Sequence, residues 1–153
     1  MAYFAELDSN NIVLRVVVAG DDDVANNGGN QSVQAATYFE TVCPLSENGV
    51  RWMQSSTDGS FRKMRAGKGD TYDEAANVFY AGASSYPSWT LDANFDWQPP
   101  VARPTNETSP INGQPIITNW DETNQKWSGY AYNDSNDRVN FDWNSTTSVW
   151  DQV

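Results

Sequence analysis

Hydrophobic and polar positions alternate over short stretches for most of the chain, and turn-forming residues interrupt them at close intervals. Residues 2–7 (AYFAEL) and 12–18 (IVLRVVV) are strand-like runs on either side of Asp8-Ser9-Asn10-Asn11, which predicts an N-terminal β-hairpin. The second run is almost wholly β-branched, with Arg15 as its one charge, and is expected to be the most buried strand. Gly20, Asp21-Asp22-Asp23 and Asn26-Asn27-Gly28-Gly29-Asn30 then read as a loop. From residue 31 to 42 the period changes. Val33, Ala36, Phe39 or Glu40, and Cys43 recur at helical spacing, with Asn30 as N-cap and Pro44 as the stop, which predicts one short helix. Residues 50–55 and 61–64 predict a second hairpin around Thr57-Asp58-Gly59.

Further on, one pattern repeats. Tyr72 and Phe79, Trp120 and Trp127, and Trp143 and Trp150 are aromatic pairs seven residues apart across a polar stretch. Trp89 to Trp97 is a variant with one extra residue. This spacing predicts short hairpins whose aromatics face each other across strands, each pair contributing about 0.2–1 kcal/mol. A lone hairpin is marginal in water, so such units must pack on a sheet, on each other or on a partner. Residues 98–115 (QPPVARPTNETSPINGQP) hold five of the seven prolines and read as a semi-extended linker. The expected organisation is therefore a β-rich body over 1–98, a proline-rich linker over 99–115 and a Trp-rich hairpin extension over 116–153. The fold class is mainly β: a small antiparallel sheet or sandwich with one short helix.

Composition narrows the chemistry. Seven Trp, seven Tyr and six Phe supply much of the apolar area, because aliphatic residues are sparse. There is no His, and Cys43 is the single cysteine. Ser-His and Cys-His nucleophiles and nearly all zinc sites are thereby excluded, and a lone thiol fits assembly in a reducing cytoplasm. The N-terminal MAYFAELDSN has neither a basic start nor a long apolar run, so no signal peptide or membrane span is expected. The net charge of −11 repels phosphate backbones and anionic membranes, so neither nucleic acid nor membrane is an expected partner. The charge is uneven. Residues 51–69 carry Arg51, Arg62, Lys63, Arg65 and Lys68 against Asp58 alone, between two acidic stretches.

The stretch from residue 61 to 100 resembles a module found in structural and uncharacterised proteins of tailed phages that infect marine cyanobacteria. The residues that carry the resemblance are Arg62, Ala66-Gly67-Lys68-Gly69-Asp70-Thr71-Tyr72-Asp73, Phe79, Pro87-Ser88-Trp89-Thr90-Leu91 and Trp97-Gln98-Pro99-Pro100. The opening AYFAELDSNNIV and the Asp-rich turn after VVVAG are also similar to these proteins. The likeness covers roughly 1–100, and Lys68 and Asp70 depart from it, standing where apolar or aromatic residues are expected. It implies a virion component, with capsid decoration (cement) proteins and tail or fibre parts both open, and it implies no catalytic residue.

Each candidate site has a plainer alternative. The aromatics read first as core or interface and second as a glycan-binding face. The basic segment reads either as a docking patch for acidic groups on another protein or as a solvated strand face. Asp21-Asp22-Asp23 lacks the spacing of a calcium loop. Asp73/Glu74 and Asp121/Glu122 lie in predicted turns, where Asp has a backbone role, so a glycosidase pair is not expected. Cys43 reads as a small core residue. The expectation is a non-enzymatic cement protein on the capsid surface, without cofactor or metal, whose partner is the major capsid protein and possibly further copies of itself. Its docking residues are Arg51, Arg62, Lys63, Arg65 and Lys68, with Trp120, Trp127, Trp143 and Trp150 in the extension. A tail or fibre adaptor with a host-glycan role is the alternative.

Overall fold

The computed structural model describes all 153 residues and is mainly β, with two helices. No helix is long and apolar enough to cross a membrane. The chain divides into two units, Met1–Ala83 and Ser84–Val153.

In the first unit, β1 (Ala2–Leu7) is the central strand of an antiparallel sheet of order β2-β1-β3, with β2 at Val13–Ala19 and β3 at Arg51–Ser55. The N-terminal hairpin is as expected, but β1 is more completely buried than the β-branched β2, because β2 lies at an edge. Side chains alternate across β1 and feed two cores. Phe4 stacks on Phe39 at 4.6 Å, and Phe39 meets Trp52 edge-on at 5.0 Å, beneath α1 (Asp21–Asn26) and α2 (Val33–Val42). Cys43 packs against this cluster. On the other face Ala5, Leu7 and Val13 pack on Ala66, Tyr72 and Phe79. The last two belong to the hairpin of β4 (Thr71–Asp73) and β5 (Val78–Tyr80).

Three local expectations change. The N-cap of α2 is Ser32, whose Oγ accepts from the Ala35 N–H, rather than Asn30. The Asp-rich loop instead forms α1, because three carboxylates in a first turn suit the positive end of a helix. Residues 61–64 form no strand, and β3 pairs with β1. Arg62 and Lys63 both take positive φ (50° and 68°), which a ladder does not accommodate.

The second unit is a meander of order β11-β10-β9-β8, with β8 at Ile117–Asp121, β9 at Lys126–Tyr132, β10 at Arg138–Asn144 and β11 at Val149–Gln152. A two-stranded ribbon of β6 (Thr90–Leu91) and β7 (Trp97–Gln98) precedes it. Trp120, Trp127, Ala131, Phe141 and Trp150 line one face of the meander and form its core, with Trp89 and Tyr86 packed against them. The proline-rich stretch is no linker. Val101 and Asn106 offer their carbonyls to the indole N–H groups of Trp127 (2.9 Å) and Trp150 (2.6 Å). Thr108 bridges to Pro115, the Ile116 N–H bonds the Glu107 carbonyl, and Pro104 is buried. Proline removes backbone donors but leaves carbonyls, which are what buried indoles require.

The aromatic pairs obey one rule. Tyr72 faces Phe79, Trp120 faces Trp127 and Trp143 faces Trp150 in register. Each hairpin closes on Asp73, Asp121 or Asn144, whose Oδ1 accepts from the N–H three residues on. Each turn ends on a left-handed residue: Asn77, Gln125 or Ser148. Asp8, Asp92 and Asn133 open a second turn type, in which Oδ1 accepts from the N–H groups two and four residues on. Its left-handed residue comes third, at Asn11, Phe95 and Asn136. Trp89-to-Trp97 adopts this second type, so Leu91 rather than Trp89 faces Trp97. Trp89 is thereby released into the core, edge-on to Trp120 and Trp127.

Glu6 is fully buried on the central strand, where its carboxylate meets Arg15 of β2. Oε1 accepts from the Ser46 N–H and, at 2.6 Å, from the Ser46 hydroxyl. Arg15 continues to the Pro44 carbonyl at 2.8 Å, so one carboxylate ties the α2–β3 connection to the sheet. Burial opposes ionisation of Glu6, but the bonds from Ser46 and Arg15 prevail and hold its pKa below the usual carboxylate value. A Cβ on Gly49 would lie 1.8 Å from Glu6 Oε1, so only glycine fits.

Three outcomes are expected. Gln125→Gly relieves the left-handed strain and raises stability by about 0.5–1 kcal/mol, whereas Asp121→Ala removes the turn acceptor and lowers it by about 1 kcal/mol, both read by urea denaturation. Because the folded pKa of Glu6 is depressed, its contribution is present above the unfolded value of 4.5 and lost as pH falls through the folded one. Melting temperatures from pH 7 to 3 should therefore fall less steeply for Glu6→Gln, which at pH 7 is the weaker protein by about 1–3 kcal/mol. In hydrogen exchange, the Ser109 and Ile116 amides should be protected, and subtilisin should spare 99–115 in the native protein. A true linker would be cut there first.

Candidate docking surface

The five basic residues of 51–69 do not form one patch. Arg51, at the start of β3, pairs with Glu74 at 3.0 Å and donates to Asn11 Oδ1 at 2.6 Å. Arg62 is half-buried. It donates to the Gln54 carbonyl at 2.6 Å and to Asn77 Oδ1 at 2.9 Å, which ties the 56–64 loop to β3 and to the β4–β5 turn. Burial draws its pKa down, partly offset by the Tyr72 hydroxyl, and the guanidinium stays charged. Lys63 is half-buried in the same strained turn. Arg65 and Lys68 are exposed, the former with its guanidinium 5.2 Å from the Tyr3 ring centre. Arg51 and Arg62 are therefore structural ties, and Arg65 and Lys68 are the charges offered to solvent.

The indoles fall on the other side of the same test. Trp120, Trp127 and Trp150 are only 6%, 5% and 4% exposed, and Trp143 is half-buried with its ring 5.3 Å from that of Trp150. A buried indole cannot dock a partner, so Trp120, Trp127 and Trp150 are the core of the second unit and not its contact surface, while Trp143 packs against them with part of its ring exposed. The acidic pairs are equally committed. Asp73 and Asp121 cap turns, and Glu74 pairs with Arg51. Glu122 accepts from the Trp120 indole at 2.8 Å and from Ser88 N–H and Oγ. Burial works against its ionisation, but these bonds lower its pKa, which leaves a carboxylate without a proton to donate at neutral pH. No three His, Cys, Asp or Glu side chains come together as a metal site would need.

Two surfaces that do face solvent escaped the sequence reading. In the first unit a groove of about 280 Å³ runs between α2 and strand β3, lined among others by Val33, Ala36, Glu40, Arg51 and Arg62. Val33 is 78% exposed there. In the second unit the outward face of the meander carries Asn119, Ser128, Tyr130, Tyr132, Arg138 and Asn140. The signal for this face was present as the strict alternation of 126–132, in which Trp127 and Ala131 point inward and Ser128, Tyr130 and Tyr132 outward. The indoles drew the reading to the wrong side of the sheet. Comparison with known protein families, with curated proteins and with solved structures found no match for this chain.

Proposed function

We propose that this protein is a non-enzymatic structural component of a phage particle, a capsid decoration (cement) protein that binds the major capsid shell. The observation that carries the reading is the pattern over residues 1–100, above all Ala66–Asp73 with Pro87–Leu91 and the Trp97-Gln98-Pro99-Pro100 close, which resembles virion proteins of marine cyanobacterial phages. In this reading the protein assembles in the host cytoplasm and sits on the outer capsid surface, with no nucleic acid or membrane among its partners. The first unit docks. Arg65 and Lys68 meet acidic groups on the shell, and the α2–β3 groove receives an apolar side chain between Arg51 and Glu40. Complementary charge of this kind sets orientation and association rate more than affinity.

The second reading, a tail or fibre adaptor with a host-glycan role, is favoured by the tyrosine-and-amide face of the meander. Counting copies in purified particles of the virus that encodes the chain, by quantitative mass spectrometry against the major capsid protein, separates the two. A cement protein is expected in simple ratio to the capsid subunit, on the order of hundreds per particle, and a tail part at about a dozen. Particles reconstituted with Arg65→Glu/Lys68→Glu protein should retain fewer copies and bind them more slowly at low salt. Absence of the protein from the particle would end the virion reading.

A further inference from the structure

The outward face of the β8–β11 meander is ordered in rows. Ile117, Tyr130 and Asn140 face one another across three strands, and Asn119, Ser128, Asp142 and Asp151 across four. Rows on one face lie about 7 Å apart and strands about 4.8 Å apart, spacings of the order of a pyranose ring. The cleft over Asn119, Ser128, Tyr130, Arg138 and Asn140 measures about 290 Å³. The Tyr130 and Tyr132 rings stand at 90° with centres 6.0 Å apart, and the Arg138 guanidinium lies 4.0 Å from the Tyr130 centre. These groups form a corner with planar walls, and Tyr132 is 47% exposed.

The charged groups on this face are already held by partners within the protein. Lys126 pairs with Asp142, Asp151 accepts from the Asn144 amide, and Arg138 lies on Tyr130 with its Nε donating to Asn140 Oδ1 at 3.0 Å. Lys126 and Arg138 stand against Asp121, Asp142 and Asp151, so the outward face carries little net charge, and that negative, in a chain of net charge −11. The Asn119 amide, the Ser128 hydroxyl and the Asn140 amide N–H₂ take no hydrogen bond within the protein and stand beside the tyrosine corner. A polyanion gains nothing from a face on which carboxylates outnumber cations, and a flat apolar partner would strand three polar side chains. A ligand that is uncharged, dense in hydroxyls and apolar on its C–H face satisfies both halves of the cleft.

We infer that this face is a binding site for a neutral saccharide, its C–H face against the Tyr130/Tyr132 corner and its hydroxyls bonded to Asn119, Ser128 and Asn140. The inference does not rest on the virion reading, since a cement protein and a tail adaptor can each carry such a site. Affinity electrophoresis of the full 153-residue protein through native gels containing laminarin, mannan, xylan or, as the anionic comparison, alginate tests it directly. At least one neutral polysaccharide is expected to retard the protein. Asn119→Ala/Ser128→Ala is expected to weaken that retardation at least tenfold, and Tyr130→Leu likewise, with far-UV circular dichroism unchanged. Should Tyr130→Leu alter the fold, the exposed Asn119/Ser128 pair decides. Passage through all three neutral gels unretarded would overturn the assignment, as would retardation by alginate alone or retardation indifferent to the Asn119/Ser128 variant. Loss of binding to purified capsid shells in that variant, with no polysaccharide retardation, would overturn it in favour of protein docking.

Discussion

Burying a tryptophan with its indole N–H unmet is costly, and much of this protein is arranged around supplying that acceptor, the buried Nε1 of Trp89 being the exception. With few aliphatic residues, the chain builds its cores from rings, and each indole brings a donor inward with its apolar area. Trp127 and Trp150 take theirs from the proline-rich stretch, Trp120 from Glu122, and Trp52 of the first unit from the Cys43 carbonyl. Leaving one such donor unmet costs about 1–3 kcal/mol, comparable to an aromatic pair itself. The proline-rich strap is therefore part of the core, although nothing in its own composition is core-like.

The first unit solves the same problem of scarce apolar material with a buried carboxylate. Glu6 lies on the central strand, where a charge is costly unless fully bonded, and Arg15, the Ser46 amide and the Ser46 hydroxyl together meet that condition. The gain is positional. The connection between α2 and β3 packs Cys43 and Leu45 against the first core, and the Glu6 network anchors it at Ser46 and Pro44. With that loop held, α2 closes over Phe4 and Trp52, and the groove beside β3 takes its shape.

Function follows from what these demands leave over. Arg51, Arg62 and the indoles of Trp120, Trp127 and Trp150 are consumed by folding, so the surface available to partners is made of residues with quieter sequence signatures. These are Arg65 and Lys68, the groove at Val33, and the tyrosine-and-amide face of the meander. Each of the two small β units has its own core and carries its own candidate surfaces.

The mainly β class, the N-terminal hairpin, the helix over 33–42 and the register of three aromatic hairpins were legible in the sequence, because each is set by local spacing and turn chemistry. Seven residues with Asp or Asn after the first aromatic dictate a four-residue turn and place the rings opposite each other, wherever the hairpin sits. Partner choice was not legible. That β3 pairs with β1 and not with residues 61–64, that the prolines cover indoles, and that the boundary falls after Ala83 all depend on groups distant in the chain. The same holds for the candidate sites. Local pattern marked Arg62 as basic and Trp150 as a large aromatic, but only the tertiary structure decided that both face inward. Burial is settled by which donors and acceptors meet in space, and a linear pattern does not carry that information.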